Sequence, residues 1–209
     1  GLLPYAEGAD AVVLEDDTLW WVPAPVDAVS DAVESVDRAR PLHQVTTLPG
    51  SAVRLTQSPV VIARVWRSGV LATSGVLLGL AEAMLAMAVE HVTTREQFGV
   101  PVGSFQAVKH RLADTLVNVE LARPLVQTAA WSVSVASDDA DRDVAAAKAV
   151  ASDAAVAAAR EALQCHGAMG YTTEHQLHLW MKRAWALSSS WGDPVSQRRR
   201  LAQLLGFAS

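Results

Sequence analysis

The segment TTREQFGVPVGSFQ, residues 93–106, contains side chains suited to ligand binding. Arg95 and Phe98 lie one helical turn apart, just ahead of a break at Gly99 and Pro101. A guanidinium forms charge-assisted, often bidentate, hydrogen bonds with anionic oxygens, and an aromatic ring offers a flat apolar surface. The alternative is that Arg95 is a solvated cation at a helix end, where cations are favoured anyway, and that Phe98 is an ordinary core residue.

A second segment with glycines, QCHGAMGY at 164–171, follows an alanine-rich stretch. Alanine has the highest helix propensity, and the Ser-Asp-Asp triplet at 137–139 offers N-cap oxygens for this helix. Gly167 is placed to end the helix in a left-handed conformation. Together with Gly170 it would let the backbone come close to a ligand. The loops at 95–103 and 164–171 are therefore expected to share one ligand.

The elements that position these loops change character near residue 58. Before it, segment 11–25 is rich in Val, Leu and Trp and predicts two short strands around a turn at 16–17. Segment 43–57 alternates in the same way, whereas the polar segment 26–42 is expected to be a loop or a short helix. After residue 58 the pattern is helical. The expected helices span residues 62–93, 104–136, 139–167, 174–190 and 194–205.

The first of these helices is long and apolar, and the only formally charged residue between Val70 and Val89 is Glu82. A membrane span needs roughly 20 apolar residues, but hydroxyl and glycine residues dilute this segment and no positive flank or aromatic belt marks its ends. We therefore expect a helix buried in a bundle and no membrane partner. Gly75 and Gly79 would let another helix approach closely.

The composition of the chain argues against several classes of function. The chain has 209 residues, of which 51% are hydrophobic, and a net charge of −5, which argues against a nucleic-acid partner. The single cysteine, Cys165, excludes an internal disulfide framework and fits a reducing compartment. The first ten residues lack the basic region and the apolar run of a signal peptide. The expected location is the cytoplasm.

Both loops resemble motifs of the acyl-CoA dehydrogenases, flavoenzymes that desaturate acyl thioesters of coenzyme A. The family has an R-x-x-F-G segment followed by F-Q, and a Q-x-x-G-G-x-G-Y loop. The matching residues are Arg95, Phe98, Gly99, Phe105 and Gln106 in the first motif, and Gln164, Gly167, Gly170 and Tyr171 in the second. Ala168 stands where the second glycine of the loop is usual.

The resemblance implies a mainly α fold, in which a four-helix-bundle-like C-terminal domain at 58–209 follows part of a small β domain at 1–57. It also implies FAD, because in the family these two segments reach across a dimer interface and hold the FAD of the neighbouring subunit. Arg95 would bind the pyrophosphate and Phe98 would contact the adenine or ribose. The implied cofactor-binding residues are Arg95, Gln97, Phe98, Phe105, Gln106, Gln164, Gly167, Ala168 and Gly170.

The sequence departs from the family where catalysis is concerned. Desaturation needs a carboxylate to take the α proton while the β hydrogen leaves as hydride. In most members this glutamate precedes Gly-Thr, but here Trp191 or Gly192 occupies the position. Some relatives place the base on the first long helix, where Gly69 and its neighbours offer no acid. Glu82 lies farther along this helix and is expected inside the bundle.

Other chemically interesting residues have plainer interpretations. Asp193 is expected to cap the last helix, with Pro194 at its first position. His175 and His178 are interpreted as surface or interface histidines and His166 as a loop residue that could touch adenosine. Cys165 has no base partner in the sequence. The basic run QRRR at 197–200 is either a solvated face or a contact to phosphates or a partner.

Three hypotheses follow. The family's N-terminal helical domain is not in this sequence, and only GLLPYAEGAD at its start represents the strand segment that cradles the flavin ring. Some actinobacterial relatives that degrade steroid side chains are α2β2 assemblies, in which one subunit has the base and its partner holds the adenosine end. A chain without either base resembles such a partner. The alternatives are a self-sufficient dehydrogenase with its base elsewhere, and a helical-bundle assembly protein that has lost the flavin.

Overall fold

The structure, a computed structural model, describes residues 2–6, 8–24 and 30–207 of the chain. It divides into two compact units, Gly1–Trp66 and Arg67–Ser209. The predicted domain boundary between residues 57 and 58 lies just ahead of the first helix and stays a prediction.

The first unit contains two three-stranded antiparallel sheets. Its strands are β1 (Leu2–Pro4), β2 (Ala11–Glu15), β3 (Thr18–Val22), β4 (Ser30–Val33), β5 (Leu42–Val45) and β6 (Val53–Thr56). The strand orders are β1-β5-β4 and β2-β3-β6. Ala6, Val22 and Val45 form the buried centre of this unit. The predicted hairpin is confirmed: Asp16 and Asp17 connect β2 to β3 with φ values of 47° and 54°, as a two-residue hairpin turn requires.

The expectation of a loop or a short helix over 26–42 is wrong where β4 forms. This strand pairs with β5, and Val33 lies opposite Leu42. Because β4 is an edge strand with exposed residues at 31 and 32, its polar composition hides the alternation that identifies buried strands. Residues 26–29 of the same segment, and Pro25 of the segment before it, lie outside the described part of the chain.

The second unit is helical, and the five predicted helices are confirmed. The helices are α1 (Pro59–Thr94, which begins in the first unit), α2 (Gln106–Ser134), α3 (Ala140–His166), α4 (Leu177–Ser189) and α5 (Pro194–Leu204). Between α1 and α2 lie the two-residue strands β7 (Glu96–Gln97) and β8 (Val100–Pro101) and a 3₁₀ turn at Val102–Ser104. A second 3₁₀ turn, Gly167–Tyr171, follows α3.

Helix α3 is the centre of this unit because its buried residues are mostly alanines, which let other helices approach on several sides. Ion pairs join it to its neighbours. Arg67 of α1 pairs with Asp141 at 2.8 Å, and Arg111 of α2 pairs with Glu161 at 2.7 Å. Its start differs from the expectation, since Asp139 is the N-cap residue but no side chain caps the helix.

Helix α1 has the length and apolar composition of a membrane span, and half of its most apolar stretch is buried within the fold. Two expectations about it are wrong. Glu82 is not inside the bundle: its side chain is 38% exposed and pairs with Arg123 at 2.8 Å. A Cβ atom added at Gly75 or Gly79 would meet nothing within 4 Å, so no described part of the chain packs closely on them.

Candidate functional site

Arg95 and Phe98 lie on a hairpin rather than on a helix. Helix α1 ends at Thr94, and β7 and β8 are joined by a tight turn in which Phe98 and Gly99 have φ values of 55° and 78°. Two successive positive φ angles are typical of a type I′ hairpin turn. The N–H of Val102 donates to the carbonyl of Arg95 at 2.8 Å and closes the base of the hairpin.

Phe98 is the most exposed large apolar side chain that the structure describes, at 92%. Its only ring contact among the described residues is with Phe105, edge to face, with ring centroids 6.3 Å apart. Phe105 is itself 39% exposed. The alternative in which Phe98 is a core residue is therefore wrong. An exposed phenylalanine leaves a large apolar ring in water, and its positive φ is an unfavourable backbone conformation. Both features are expected of a residue that is covered in an assembly.

Arg95 is exposed, and its guanidinium makes no ion pair or side-chain hydrogen bond within the described ranges. Nearby, α2 begins at Gln106 without a side-chain cap. The first N–H groups of a helix have no partner inside it, and they favour anions. Gln106 is exposed, while Gln97 donates from Nε2 to the carbonyl of Glu96 at 2.7 Å. The hairpin thus combines a free cation, an uncapped helix start and an exposed ring.

The second predicted segment begins inside a helix. Gln164 lies on the exposed side of α3, which extends to the buried His166. Gly167 ends the helix as expected, but its φ of 57° and ψ of −134° do not give the left-handed helical conformation that the sequence predicts. Gly170 packs closely on the end of α3, since a Cβ there would lie 2.9 Å from Cδ1 of Leu163 and 3.2 Å from Cβ of His166. The exposed residues of the turn include Gly167 and Ala168.

A stack of three histidine rings joins the ends of the two segments. The His91 and His166 ring centroids are 4.4 Å apart, and those of His166 and His175 are 4.6 Å apart. His91 belongs to the last turn of α1, and the stack lies beside a cavity of about 460 Å³. The cavity is lined by Ala83, Met87, Glu90, His91, Thr94, His166, His175, Gln176 and Trp180. The segments at 93–106 and 164–171, which were expected to share a ligand, therefore leave from helix ends that lie close in space.

Sequence reasoning missed this stack. His166 is a buried helix residue and not a loop residue, whereas His175, expected to be a surface or interface histidine, is half-buried. The three residues are far apart along the chain and lie on different elements, so no local spacing indicates their contact. Burial lowers the pKa of both His91 and His166.

Trp191 and Gly192, where the resemblance puts the family's usual base, form a strained turn between α4 and α5. Their φ values are 57° and 89°, and positive φ is rare for a bulky side chain. The indole ring of Trp191 packs against Gly69 of α1, since a Cβ at Gly69 would lie 2.5 Å from ring carbons of Trp191. The two places where the resemblance puts a base thus lie together, and an indole ring fills the space between them.

Lys148 of α3 stabilises this turn through hydrogen bonds from a buried position. Its side chain is fully buried, and Nζ donates to the carbonyls of Ser188 at 2.9 Å and Gly192 at 3.0 Å and to Oγ of Ser152 at 2.9 Å. Burial lowers the pKa of Lys148 to about 8. Nε2 of Gln197 donates to the carbonyl of Trp191 at 2.6 Å. No motif in the sequence indicated Lys148, and Gln197 appeared only as the first residue of the run QRRR.

The remaining candidates have structural roles. Oδ1 of Asp193 accepts the N–H of Ser196 at 2.7 Å, which confirms the predicted cap of α5. Arg198 pairs with Asp153, and Arg200 with Asp141, so most of the basic run is engaged with α3. Burial raises the pKa of the Cys165 thiol. No group of three or more His, Cys, Asp or Glu residues in the described ranges is arranged to hold a metal.

Comparison with known proteins agrees with this geometry. The family model for "Acyl-CoA dehydrogenase, C-terminal domain" matches residues 67–205. Acyl-CoA dehydrogenase IpdE2 of Mycobacterium tuberculosis is 38% identical over 138 residues, which are 64% of this chain and 42% of IpdE2. Acyl-CoA dehydrogenase FadE34 of the same organism is 34% identical over 201 residues, which are 92% of this chain and 27% of FadE34.

Among solved structures, the ChsE4-ChsE5 complex from Mycobacterium tuberculosis contains a chain that superimposes with a TM-score of 0.83 at 30% identity. The match covers 96% of this chain and 56% of that one. The chain spans about half or less of the length of these relatives. By the match to its C-terminal domain, the chain belongs to the acyl-CoA dehydrogenase family.

Proposed function

We propose that this chain is a catalytically silent subunit of a flavin-dependent acyl-CoA dehydrogenase and that it holds the adenosine and pyrophosphate end of an FAD bound mainly by a homologous partner subunit. The observation that carries the proposal is the hairpin that presents Arg95, unpaired within the described ranges, and a 92% exposed Phe98. It follows the end of α1, where His91 stacks on His166, the residue just ahead of the Gly167–Tyr171 turn. The family itself is FAD-dependent.

The residues present fit the polar half of such a cofactor. A pyrophosphate is anionic, and the Arg95 guanidinium is free to form a two-point contact with it. The uncapped start of α2 at Gln106 favours the same charge. Phe98 offers its ring to a ribose or a base, as single aromatic side chains do in nucleotide sites. Gln164, Gly167 and Ala168 are exposed at the end of α3 and in the turn after it, where they are available to the same ligand.

The silent role is supported by the turn between α4 and α5. A general base must lie within hydrogen-bond reach of the proton that it removes. Trp191 has no proton-accepting group, its ring fills the space over Gly69, and Lys148 and Gln197 fix the turn in this arrangement. Asp193, the nearest acid, is engaged in capping α5.

In this proposal the chain contributes binding and orientation. When bound, FAD supplies the hydride acceptor for desaturation of the thioester. Arg95 neutralises charge at the pyrophosphate, Phe98 excludes water from the adenosine, and the Gly167 turn places its backbone against the same end. The proton at the α carbon is removed by the partner subunit.

The finer features of the proposal come from the resemblance and from the relatives. The ChsE4-ChsE5 relative is a complex of two named chains, which supports an assembly of unlike subunits, proposed here as α2β2. We propose an acyl-CoA substrate with a bulky acyl chain of the steroid side-chain type, and a cytoplasmic location.

The test is the visible absorbance spectrum of the chain purified alone and after co-expression with its homologous genomic neighbour. The proposal predicts flavin bands only in the co-purified complex. A yellow chain that turns over acyl-CoA alone would instead show a self-sufficient dehydrogenase, and a colourless protein in both preparations would show an assembly protein without flavin. Either result would contradict the proposal.

A further inference from the structure

The histidine stack connects the starting points of both cofactor-facing segments. His91 lies in the last turn of α1, and Arg95 is the first residue beyond that helix. His166 is the last residue of α3, and Gly167 begins the second segment. The two rings are nearly parallel, with an interplanar angle of 25°, at 4.4 Å. Through this contact the end of α1 and the end of α3 are held side by side.

The hydrogen bonds show which form of the stack is present. Nδ1 of His166 lies 2.7 Å from the carbonyl of Ala162, so this nitrogen donates. Nδ1 of His175 accepts the N–H of Leu177 at 3.2 Å, at the first residue of α4. An imidazolium has no accepting nitrogen. Protonation of His175 therefore removes the hydrogen bond that joins this ring to the start of α4.

Most of the charges around the stack oppose protonation of His91. Arg95 on one side and the neighbouring imidazoles on the other oppose a positive charge on His91, while Glu90 is the acid that lines the same cavity. Burial is the main cause that lowers the pKa of His91 and His166 below 6.5. Because the unfolded chain then binds more protons than the folded one, the stack is fully stabilising above about pH 6.5 and loses stability as the pH falls.

We infer that the His91–His166–His175 stack positions the two cofactor-facing segments against each other and releases them on protonation, so that the assembled complex loses its flavin in weak acid. The inference rests on the proposed function, since it assumes that these segments hold the cofactor. The three histidines act as positioning residues. When the stack is protonated, it no longer holds the two segments together. Repulsion between charged rings at this spacing is the driving force.

The first test compares flavin release between pH 7.5 and 5.5 in complexes that contain wild-type chain or His91→Phe. A phenyl ring stacks but does not titrate. We expect release from wild type to accelerate as the pH falls below 6.5, by up to about tenfold per pH unit for each proton taken up, and release from His91→Phe to stay nearly constant. His110→Phe, an exposed site on α2, is the matched control and should follow wild type.

The second test does not need flavin. Histidine ring and backbone amide signals of the full chain are followed by NMR during an acid titration. We expect the His91 and His166 rings to titrate together with the amides of residues 95–98 and 167–171, and these amides to stop responding in His91→Phe. Unchanged pH dependence of flavin release in His91→Phe, or amides that ignore the histidine titration, would overturn the inference. A wild-type complex without flavin would contradict only the proposed function, because the NMR result would still decide about the stack.

Discussion

The indole ring of Trp191 lies so close to Gly69 that no side chain fits between them. Three ring carbons lie 2.5 Å from the position that a Cβ at Gly69 would take. This contact joins helix α1 to the turn between α4 and α5, and it covers both places where the resemblance puts the base. The missing side chain of Gly69 thus leaves the space that the Trp191 ring occupies.

We expect Gly69→Ala to destabilise the chain, because the new methyl group forces the indole ring out of its place. Overpacking of this kind costs about 1–3 kcal/mol in free energy of unfolding, which outweighs the gain of about 0.5–1 kcal/mol from replacing a helical glycine by alanine. Urea unfolding of the purified chain measures the difference. The double variant Gly69→Ala with Trp191→Leu should recover stability.

Gly79→Ala is the matched control, since Gly79 lies on the same helix and a Cβ there meets nothing within 4 Å. It should gain stability where Gly69→Ala loses it. If both variants are equally stabilised, the Trp191 ring does not occupy the space over Gly69 in solution.

The buried Lys148 gives a prediction about pH. Its pKa is about 8 in the folded chain against an ordinary value of 10.5. Between these two values the unfolded chain binds more protons than the folded one, so the contribution of Lys148 to stability rises with pH. The difference in free energy of unfolding between wild type and Lys148→Met should therefore shift in favour of wild type from pH 8 to pH 10. A difference that stays constant over this range would contradict the lowered pKa.

The helices could be predicted from the sequence, whereas the contacts of the site could not. Alanine-rich and apolar periodic segments determine α1 to α5 locally, and Asp193 with Pro194 specifies the start of α5 by capping chemistry alone. The strand β4 was missed because an exposed edge strand lacks a buried face. The hairpin turn at Phe98 and Gly99 was missed as well, because phenylalanine is an unusual residue for a type I′ turn.

The histidine stack and the Lys148 bonds depend on tertiary contacts between distant residues. Lys148 lies in an alanine-rich helix, where a lysine ordinarily indicates the solvent-facing side. It is buried because Nζ donates to the carbonyls of Ser188 and Gly192, which lie outside α3 and cannot be predicted from the pattern of that helix. Residue types alone indicated that the loops at 95–103 and 164–171 share a ligand, whereas FAD as that ligand came only from the resemblance to the family.

Phe98 should show a conflict between stability and assembly. Asparagine tolerates positive φ better than phenylalanine, so we expect Phe98→Asn to stabilise the isolated chain by about 1 kcal/mol. The same change removes the exposed ring and should weaken flavin retention in the complex. Thermal unfolding of the chain and flavin release from the complex measure the two effects. A variant that holds flavin as tightly as wild type would show that the ring has no contact with the cofactor.

Restoring a carboxylate should not restore catalysis. Trp191→Glu places an acid at the family's usual position, and it is a better test than Gly192→Glu, because Gly192 has a φ of 89° and a Cβ there would lie 2.6 Å from Nε2 of Gln197. In the proposed function the base acts over a flavin that is held mainly by the partner subunit, so the isolated variant is expected to be inactive. Turnover of acyl-CoA by isolated Trp191→Glu would contradict the silent-subunit proposal.

The final prediction concerns Arg95. If its guanidinium contacts a pyrophosphate across the subunit interface, Arg95→Ala should lower the flavin affinity of the complex roughly ten- to a hundredfold, because a hydrogen bond to a charged group contributes about 1.5–3 kcal/mol. Arg95→Lys should recover only part of this loss, since an ammonium cannot form the planar two-point contact. Free-flavin fluorescence during dissociation measures all three proteins.

The stability of the isolated chain separates this role from a structural one. Arg95 is exposed and unpaired within the described ranges, so its replacement should change the free energy of unfolding by no more than about 0.3–1 kcal/mol. Arg199→Ala, an exposed arginine on α5, is the matched control and should leave flavin release unchanged. Equal flavin retention in wild type, Arg95→Lys and Arg95→Ala would show that Arg95 is an ordinary surface residue. The cofactor would then have to be bound elsewhere on the complex.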